Sequence, residues 1–267
     1  MSLGREGAEI VLQDVGRTFL TRSGEEIEAL TGISTTIGSG EFVCIVGASG
    51  CGKSTLLRII AGLIAPSAGS VAIGGAPVTG PRRDIGLVFQ SPVLLPWRNV
   101  QKNVMVPAEV LGLSRAAARA RASELLALVG LDGFEKKLPS ELSGGMRQRV
   151  SIARALMHDP ATLLMDEPFG ALDAMTRDQM NLELLEIWQR NRKTVVLVTH
   201  SIEEALFLGD RVLVFTPRPG RLHRTIEVDV PRPRTTRTRN DPTFLKLAAE
   251  LRDMFDTTSW KKTDATA

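Results

Sequence analysis

The fold is decided by one uninterrupted stretch of the sequence, Phe42-Val43-Cys44-Ile45-Val46-Gly47-Ala48-Ser49-Gly50-Cys51-Gly52-Lys53-Ser54. Its first five residues are apolar and rich in valine and isoleucine, which predicts a short buried strand that stops at Gly47. After the glycine-rich turn, Leu56, Leu57 and Ile60 recur at helical spacing, and Gly62 marks the end of the helix. A strand, a glycine-rich turn and a helix in this order are the expected surroundings of a loop that binds phosphate.

The eight residues that follow this strand match a phosphate-binding loop at every fixed position. Glycines let the backbone wrap closely around phosphate groups, so that several N–H groups and the positive end of the next helix face the anion. Lys53 adds a mobile cation for the β- and γ-phosphates, Ser54 adds a hydroxyl for Mg²⁺, and Thr55 can reach the α-phosphate. The predicted nucleotide-binding residues are Gly47, Ala48, Ser49, Gly50, Cys51, Gly52, Lys53, Ser54 and Thr55.

A second motif is an apolar strand that ends in two acids, Leu163-Leu164-Met165-Asp166-Glu167. The carboxyl end of a buried parallel strand is where an α/β sheet presents side chains to a ligand. We expect Asp166 to hold Mg²⁺ and Glu167 to polarise the attacking water as a general base. An ordinary strand end with two solvated acids is the alternative for this motif taken alone.

A third motif, Leu142-Ser143-Gly144-Gly145, lies within a stretch of helical patterns. Ser143 is suited to cap a helix, and the two glycines let an anion sit against the helix N-terminus. With all three motifs, the sequence resembles the ATP-binding-cassette (ABC) ATPases over roughly residues 10–215, since this third motif is the hallmark of that family. The resemblance implies ATP as the nucleotide and Mg²⁺ as its metal.

The resemblance also implies an α/β fold, a P-loop NTPase (RecA-like) core with a small antiparallel β subdomain and a helical subdomain inserted after the Gln90 loop. The pattern agrees, because residues 91–158 contain helical periodicities and no convincing strand, and Gly74-Gly75 is a hairpin signal. We expect an ATPase domain at 8–216, with its helical subdomain at about 91–158. A C-terminal extension at 217–267 carries a basic Pro/Arg segment and a terminal helix.

Further site residues follow from the resemblance, position by position. In the family, the Leu-Ser-Gly-Gly motif contacts the γ-phosphate of ATP held by the opposite subunit, so that two copies of the chain enclose two ATP molecules. The residues acting on the opposite subunit's ATP are then Ser143, Gly144, Gly145 and Asp173. Phe19 matches the ring that stacks on adenine. The implied catalytic residues are Glu167, His200 and Gln90, and the implied metal ligands are Ser54, Gln90 and Asp166.

Composition excludes several other classes. The hydrophobic content of 43% is ordinary for a folded protein, and the longest apolar run, residues 59–65, is far below the roughly 18 needed to span a bilayer. Two cysteines give neither a disulfide framework nor a metal cluster. The net charge of +3 is concentrated in residues 216–239, which carry seven arginines against two acids. We expect this stretch to be a solvated face or an intersubunit contact, with 231–240 a linker; no nucleic-acid partner is expected.

These features favour the ATP-hydrolysing subunit of an ABC importer. Two stretches, residues 89–97 and 217–221, resemble the nitrate/sulfonate/taurine importer group, which implies a small anionic solute and an extracytoplasmic substrate-binding protein. The chain contains no predicted membrane span and no secretory signal, so we expect separate integral-membrane permease subunits and a peripheral position on the cytoplasmic face of the inner membrane. The alternatives are a soluble ABC ATPase acting on nucleic acid or ribosomes, and the ATPase of an exporter or lipid-releasing system.

An apolar segment follows Gln90 and is the predicted permease contact. Val93, Leu94, Leu95 and Trp97 fall within seven residues. An exposed apolar patch of this kind often marks an interaction site, and burial within the helical subdomain is the alternative.

Overall fold

In the computed structural model, which describes residues 6–170 and 172–255, the chain divides into two units. The discontinuous unit comprises residues 8–82 and 194–255, and the other unit, which we call the continuous unit, consists of residues 83–193 and the two described residues before residue 8. None of the helices in the described part of the chain is long and apolar enough to cross a membrane.

The discontinuous unit contains a small antiparallel sheet. Its four strands are β1 (Ile10–Leu20), β2 (Glu26–Ile37), β4 (Ala68–Ile73) and β5 (Ala76–Pro77), in the spatial order β2-β1-β4-β5. The turn between β4 and β5 uses Gly74 and Gly75 at φ of 58° and 77°, a conformation that glycine adopts without strain, so the hairpin prediction is confirmed. Ile10, Val15, Ile33 and Ile37 form the buried face of this sheet.

The same unit contains strands that run parallel to one another. They are β3 (Phe42–Gly47), β8 (Thr194–Val198) and β9 (Arg211–Phe215), with β3 in the middle. Two helices follow strands of this group, α1 (Lys53–Ile60) after β3 and α7 (Ile202–Leu208) after β8. Residues 42–46, 194–198 and 212–215 are buried, which explains why these strands are continuous apolar runs in the sequence. Because the strands are parallel, Gly47, the last residue of β3, and His200, two residues after β8, lie at neighbouring carboxyl ends.

The extension, by which we mean the described residues 217–255, belongs to the discontinuous unit. It forms β10 (Leu222–Glu227), which pairs antiparallel with β9, a 3-10 turn at Thr236–Asn240 and α8 (Pro242–Phe255). Phe244, Ala248 and Leu251, which recur at helical spacing, form the buried face of α8. The remainder of the predicted extension, residues 256–267, lies outside the described residues.

The prediction of a linker at 231–240 with solvated arginines is wrong for two positions. Arg234 exposes 4% of its surface, and Arg232 is half-buried and forms an ion pair with Asp210 at 2.7 Å. Both guanidinium groups donate to backbone carbonyl groups of this unit. Composition alone is misleading here because an arginine counts as solvated unless its partners are known.

The continuous unit joins two parallel strands to a set of helices. The strands are β6 (Ile85–Val88) and β7 (Thr162–Asp166), and β7 is the apolar strand of the second motif. The helices are α2 (Val100–Val104), α3 (Val106–Val110), α4 (Arg115–Leu128), α5 (Gly144–Leu156) and α6 (Ala174–Asn191). Residues 91–158, all of which are described, contain no strand, in agreement with the predicted helical insertion. A Cβ atom on Gly86 would lie 2.6 Å from the Ala155 carbonyl oxygen, so glycine permits α5 to pack on β6.

Candidate functional site

The predicted phosphate-binding loop connects β3 to α1. Gly52 is the N-cap of α1 at φ 99°; the cap has no side-chain hydrogen bond, and the first turn contains no acid. The first N–H groups of a helix have no acceptor within the helix, so an N-terminus left open by its cap favours an anion. Lys53 is buried, and its Nζ donates to the carbonyl oxygens of Gly47 at 2.8 Å and Ala48 at 3.0 Å. The ammonium group therefore reaches back over the loop.

Close packing explains two of the loop glycines. A Cβ on Gly52 would lie 2.7 Å from the Ala29 carbonyl oxygen and from Leu30 Cδ2, both on β2. A Cβ on Gly47 would lie 2.8 Å from Cys51 Sγ. The loop is thus held against β2 with no room for a larger residue, and its shape does not depend on the loop sequence alone.

Two other predicted residues lie in the same unit. Phe19, on β1, is half-buried and the guanidinium of Arg17 lies 4.6 Å from its ring centroid. His200 is exposed and lies two residues after the end of β8. The next residue, Ser201, caps α7, since its Oγ accepts from the Glu204 N–H at 3.2 Å.

In the continuous unit, two predicted catalytic side chains are in contact. Gln90 follows β6 and Glu167 follows β7, and the Gln90 Nε2 donates to Glu167 Oε2 at 3.2 Å. Glu167 adopts φ 43°, a left-handed conformation that a residue with a Cβ atom adopts at a cost of about 1–3 kcal/mol. Asp166, the last residue of β7, is buried with 7% of its surface exposed. Strain is retained at Glu167, where the sequence predicts the general base.

The third motif forms a capped helix start beside a second one. Ser143 caps α5, and its Oγ accepts from the Met146 N–H at 3.2 Å, as predicted. Asp173 caps α6, accepting from Thr176 N at 3.0 Å, and its other oxygen accepts from Thr176 Oγ1 at 2.7 Å. These hydrogen bonds lower the pKa of Asp173 below its usual value. A Cβ on Gly145 would lie 3.2 Å from Thr176 Cγ2, so the two helix starts are adjacent.

The sequence did not reveal the residues that hold this pair of helices together. Arg149 of α5 forms an ion pair with Glu183 of α6 at 3.0 Å, and its Nη1 donates to the Val129 carbonyl oxygen at 3.0 Å. The positive φ of 66° at Gly130 and its missing Cβ leave space for this guanidinium group, since a Cβ would lie 2.8 Å from Arg149 Nη1. The sequence alone shows a charged residue on each helix but does not show that the two residues pair.

The apolar segment after Gln90 is largely on the surface. Trp97 exposes 74% and Val93 59% of their surface, so the alternative that Trp97 is a core residue is wrong. The segment is anchored by Asn103, whose side chain is fully buried. Its Oδ1 accepts from Leu95 N at 2.7 Å, and its Nδ2 donates to the carbonyl oxygens of Leu95 and Arg98 at 3.1 and 2.8 Å. No pattern in the sequence marks Asn103 as the residue that anchors this segment.

Comparisons with known proteins agree with the motifs. A family model described as ABC transporter matches residues 30–170. The taurine import ATP-binding protein TauB of Burkholderia pseudomallei (strain 1710b) is 50% identical over 215 residues, which are 80% of this chain and 82% of that protein. The nitrate import ATP-binding protein NrtD of Synechocystis is 43% identical over 262 residues, covering 96% of this chain and 98% of that protein.

Solved structures show the same architecture. A dimeric ATP-binding cassette in a post-hydrolysis state, bound to ADP and Pi, is 36% identical with a TM-score of 0.74, covering 82% of this chain and 98% of that one. The CbiO1 protein of Clostridium perfringens, part of an ABC transporter complex, is 26% identical with a TM-score of 0.73, covering 93% and 95%. The predicted P-loop NTPase fold is therefore confirmed, and the chain belongs to the ABC transporter family.

Proposed function

We propose that the chain is the ATP-hydrolysing subunit of an ABC importer that drives uptake of a small anionic solute through a separate permease. One observation carries the importer assignment: two relatives, 50% and 43% identical over at least 80% of this chain, are named for the import of taurine and of nitrate. Both solutes carry a negatively charged group. The two stretches that resemble this importer group, 89–97 and 217–221, lie in regions that the structure describes.

The discontinuous unit supplies the groups that bind the nucleotide in this proposal. Phe19 stacks on adenine, and the residues from Gly47 to Thr55 hold the phosphates through N–H groups and the N-terminus of α1. Lys53 exchanges its two carbonyl acceptors for the β- and γ-phosphates, because its ammonium group is attracted by the negative charge of a phosphate, which a neutral carbonyl oxygen lacks. His200 contacts the γ-phosphate.

The proposed metal is Mg²⁺, and the predicted donors suit it. Ser54, Gln90 and Asp166 offer a hydroxyl, an amide and a carboxylate oxygen, the donor class that Mg²⁺ prefers. The described residues contain no cluster of three or more His, Cys, Asp and Glu, which suits a metal that also takes oxygens from nucleotide phosphates. When bound, Mg²⁺ neutralises charge on the phosphates.

Hydrolysis needs a water molecule aimed at the γ-phosphorus and a group that accepts its proton. Glu167 accepts this proton at its carboxylate as the new P–O bond forms and the bond to ADP breaks. Gln90, which donates to Glu167 at 3.2 Å, orients the carboxylate and the water. The left-handed backbone of Glu167 fixes the direction of its side chain before the substrate arrives.

A second copy of the chain completes each site. The N-terminus of α5 is capped by the neutral Ser143 and has no acid in its first turn, so it presents a positive helix end to an anion, whereas the adjacent N-terminus of α6 carries the Asp173 carboxylate. We propose that Ser143, Gly144, Gly145 and Asp173 meet the γ-phosphate region of the ATP bound by the partner. The dimeric arrangement of a solved relative supports this proposal.

The membrane partners follow from the importer assignment. The exposed segment with Val93 and Trp97 contacts the permease, and an extracytoplasmic substrate-binding protein delivers the solute. This places the chain on the cytoplasmic face of the inner membrane as a peripheral subunit. We also propose the domain bounds 8–216, about 91–158 for the helical subdomain, and 217 onward for the extension.

The deciding experiment is transport by the reconstituted system. The chain is co-expressed with the permease and binding protein encoded beside it, placed in vesicles, and supplied with ATP. Taurine and nitrate uptake is measured with the native chain and with Glu167→Gln. Uptake that requires ATP and Glu167 supports the proposal. ATP-driven movement in the opposite direction, or ATP hydrolysis stimulated by RNA or ribosomes and not by the permease, overturns it.

A further inference from the structure

The helix that follows His200 ends inside the protein. Residues 204–208 of α7 are buried. The last carbonyl groups of a helix have no partner within the helix, and a buried carbonyl without a hydrogen bond is destabilising. The acceptors concerned are the carbonyl groups of Leu206, Phe207, Leu208 and Gly209.

Two arginines of the extension satisfy all four carbonyl groups. Arg234 Nη1 donates to the oxygens of Leu206 at 3.0 Å, Phe207 at 3.1 Å and Gly209 at 2.7 Å. Arg232 Nη2 donates to the oxygen of Leu208 at 2.7 Å. The guanidinium group carries five donors in a fixed fork, and its charge suits the negative end of a helix. Burial lowers the pKa of Arg234 to about 10, so the group remains cationic at neutral pH.

The extension contacts α7 at two further side chains, one near each end of the helix. Arg252 of α8 forms an ion pair with Glu203, three residues after His200. Arg239 lies with its guanidinium carbon 5.3 Å from the ring centroid of Phe207. A helix of seven residues is not stable through its own hydrogen bonds, so its position is set by such tertiary contacts.

The start of the extension touches the phosphate-binding loop. Gly220 N donates to the Ala29 oxygen at 3.0 Å, and its own oxygen accepts from Thr31 N at 3.1 Å. A Cβ on Gly220 would lie 2.0 Å from the Cys51 oxygen, so only glycine allows this approach. The extension therefore contacts both the loop that contains Lys53 and the helix that follows His200.

We propose that the extension is a positioning element for ATP binding and hydrolysis: Gly220 sets the phosphate-binding loop, and Arg232 and Arg234 set α7 and with it His200. This inference rests on the proposed function, in which His200 contacts the γ-phosphate. The extension contributes no group to the nucleotide site. It acts through geometry, since a displacement of about 1 Å in a catalytic group can slow a reaction by about 100-fold.

The proposed role of Arg234 in positioning α7 is tested with Arg234→Lys in the full chain. Lysine keeps the charge but cannot reach all the carbonyl groups, so we expect ATP turnover to fall by about 10-fold, while the ATP dissociation constant changes by less than about 2-fold. Arg237→Gln is the matched control, because Arg237 is an exposed arginine of the same segment. Turnover, nucleotide affinity and melting temperature are measured on the same preparations.

A double-mutant cycle separates positioning from general stability. In a His200→Ala background, Arg234→Lys should cause no further loss of turnover, because the residue that it positions is gone. An additive 10-fold loss of turnover in that background overturns the proposed role of Arg234 in positioning α7, and so does wild-type turnover in the single variant. If Arg234→Lys does not fold, the same cycle with Arg252→Gln decides, since that arginine is exposed.

The proposed role of Gly220 at the phosphate-binding loop is tested with a second pair of variants. Gly220→Ala should weaken ATP binding by at least about 10-fold, whereas Gly80→Ala should not, because a Cβ on Gly80 meets nothing within 4 Å. A folded Gly220→Ala protein with wild-type ATP affinity overturns the proposed role of Gly220. Failure of the proposed function looks different: the native chain then shows no ATP turnover, or His200→Ala leaves turnover unchanged.

Discussion

Replacing Glu167 by glutamine separates chemistry from folding more sharply than any other change in this chain. The variant keeps the shape of the side chain and removes its capacity to accept a proton. A general base contributes a rate factor of about 10²–10⁴, so turnover should fall by about 1,000-fold, equivalent to about 4 kcal/mol in the activation free energy.

The effect on stability should be much smaller. The Gln90 Nε2 donates to Glu167 at 3.2 Å, and a hydrogen bond to a charged acceptor is about 1 kcal/mol stronger than one between neutral groups. Glu167 is half-buried, so solvent reduces this difference further. The left-handed φ of 43° is unchanged by the substitution. We therefore expect a fall in melting temperature of no more than about 2–4 °C.

The assay measures phosphate release, ATP affinity and particle mass with Mg²⁺ and ATP present. Glu167→Gln should bind ATP normally and accumulate as a dimer that encloses ATP, because the step that opens the dimer is blocked. Glu124→Gln, a change of the same kind at an exposed carboxylate of α4, is the control. A normal rate in Glu167→Gln would show that Glu167 is not the base. A loss of ATP binding equal to the loss of turnover would show that its role is structural.

Three further predictions concern the dimer, the permease and pH. Ser143→Arg should abolish turnover while ATP affinity stays near normal. When Ser143→Arg chains are mixed with Lys53→Ala chains, the mixed dimers should keep one intact site and still close. Loss of all closure would contradict separate sites unless the two sites are strictly coupled. Trp97→Ala should weaken co-purification with the neighbouring permease and lower transport, with unchanged ATP affinity. The control Leu245→Ala, on α8, should change neither co-purification nor transport. If Trp97→Ala assembles normally, the exposed segment with Val93 and Trp97 is not part of the interface. The lowered pKa of Asp173 means that its cap stabilises α6 above the ordinary Asp value of about 3.9 and loses this effect as pH falls through the lower folded value. Acid titration of Asp173→Asn by circular dichroism should therefore lack this part of the transition, and identical curves would remove the cap from acid unfolding.

Elements that arise from local interactions can be predicted from the sequence of this chain. The strand, loop and helix at residues 42–60 follow from apolar periodicity and from glycines at fixed spacing, and the caps Ser143 and Ser201 act on N–H groups three residues away. Interactions of this range are written in consecutive residues, so the motif and the element are predicted together. The family assignment rests on the same local patterns.

Contacts between residues that are far apart in the chain become visible only in the folded protein. Gln90 and Glu167 are 77 residues apart and come into contact because β6 and β7 are neighbouring parallel strands. Asn103 looks like any polar residue of a helix until the carbonyl groups that it binds are placed around it.

The extension shows the limit most clearly, because composition predicted a solvated linker where Arg234 is buried. The acceptors of its Nη1 lie 25–28 residues earlier in the chain, at the end of α7, while its Nε and Nη2 donate to the nearby carbonyl groups of Val228 and Val230. The free energy of an arginine depends on whether such acceptors surround it, and the path of the chain, not the residue type, brings them there.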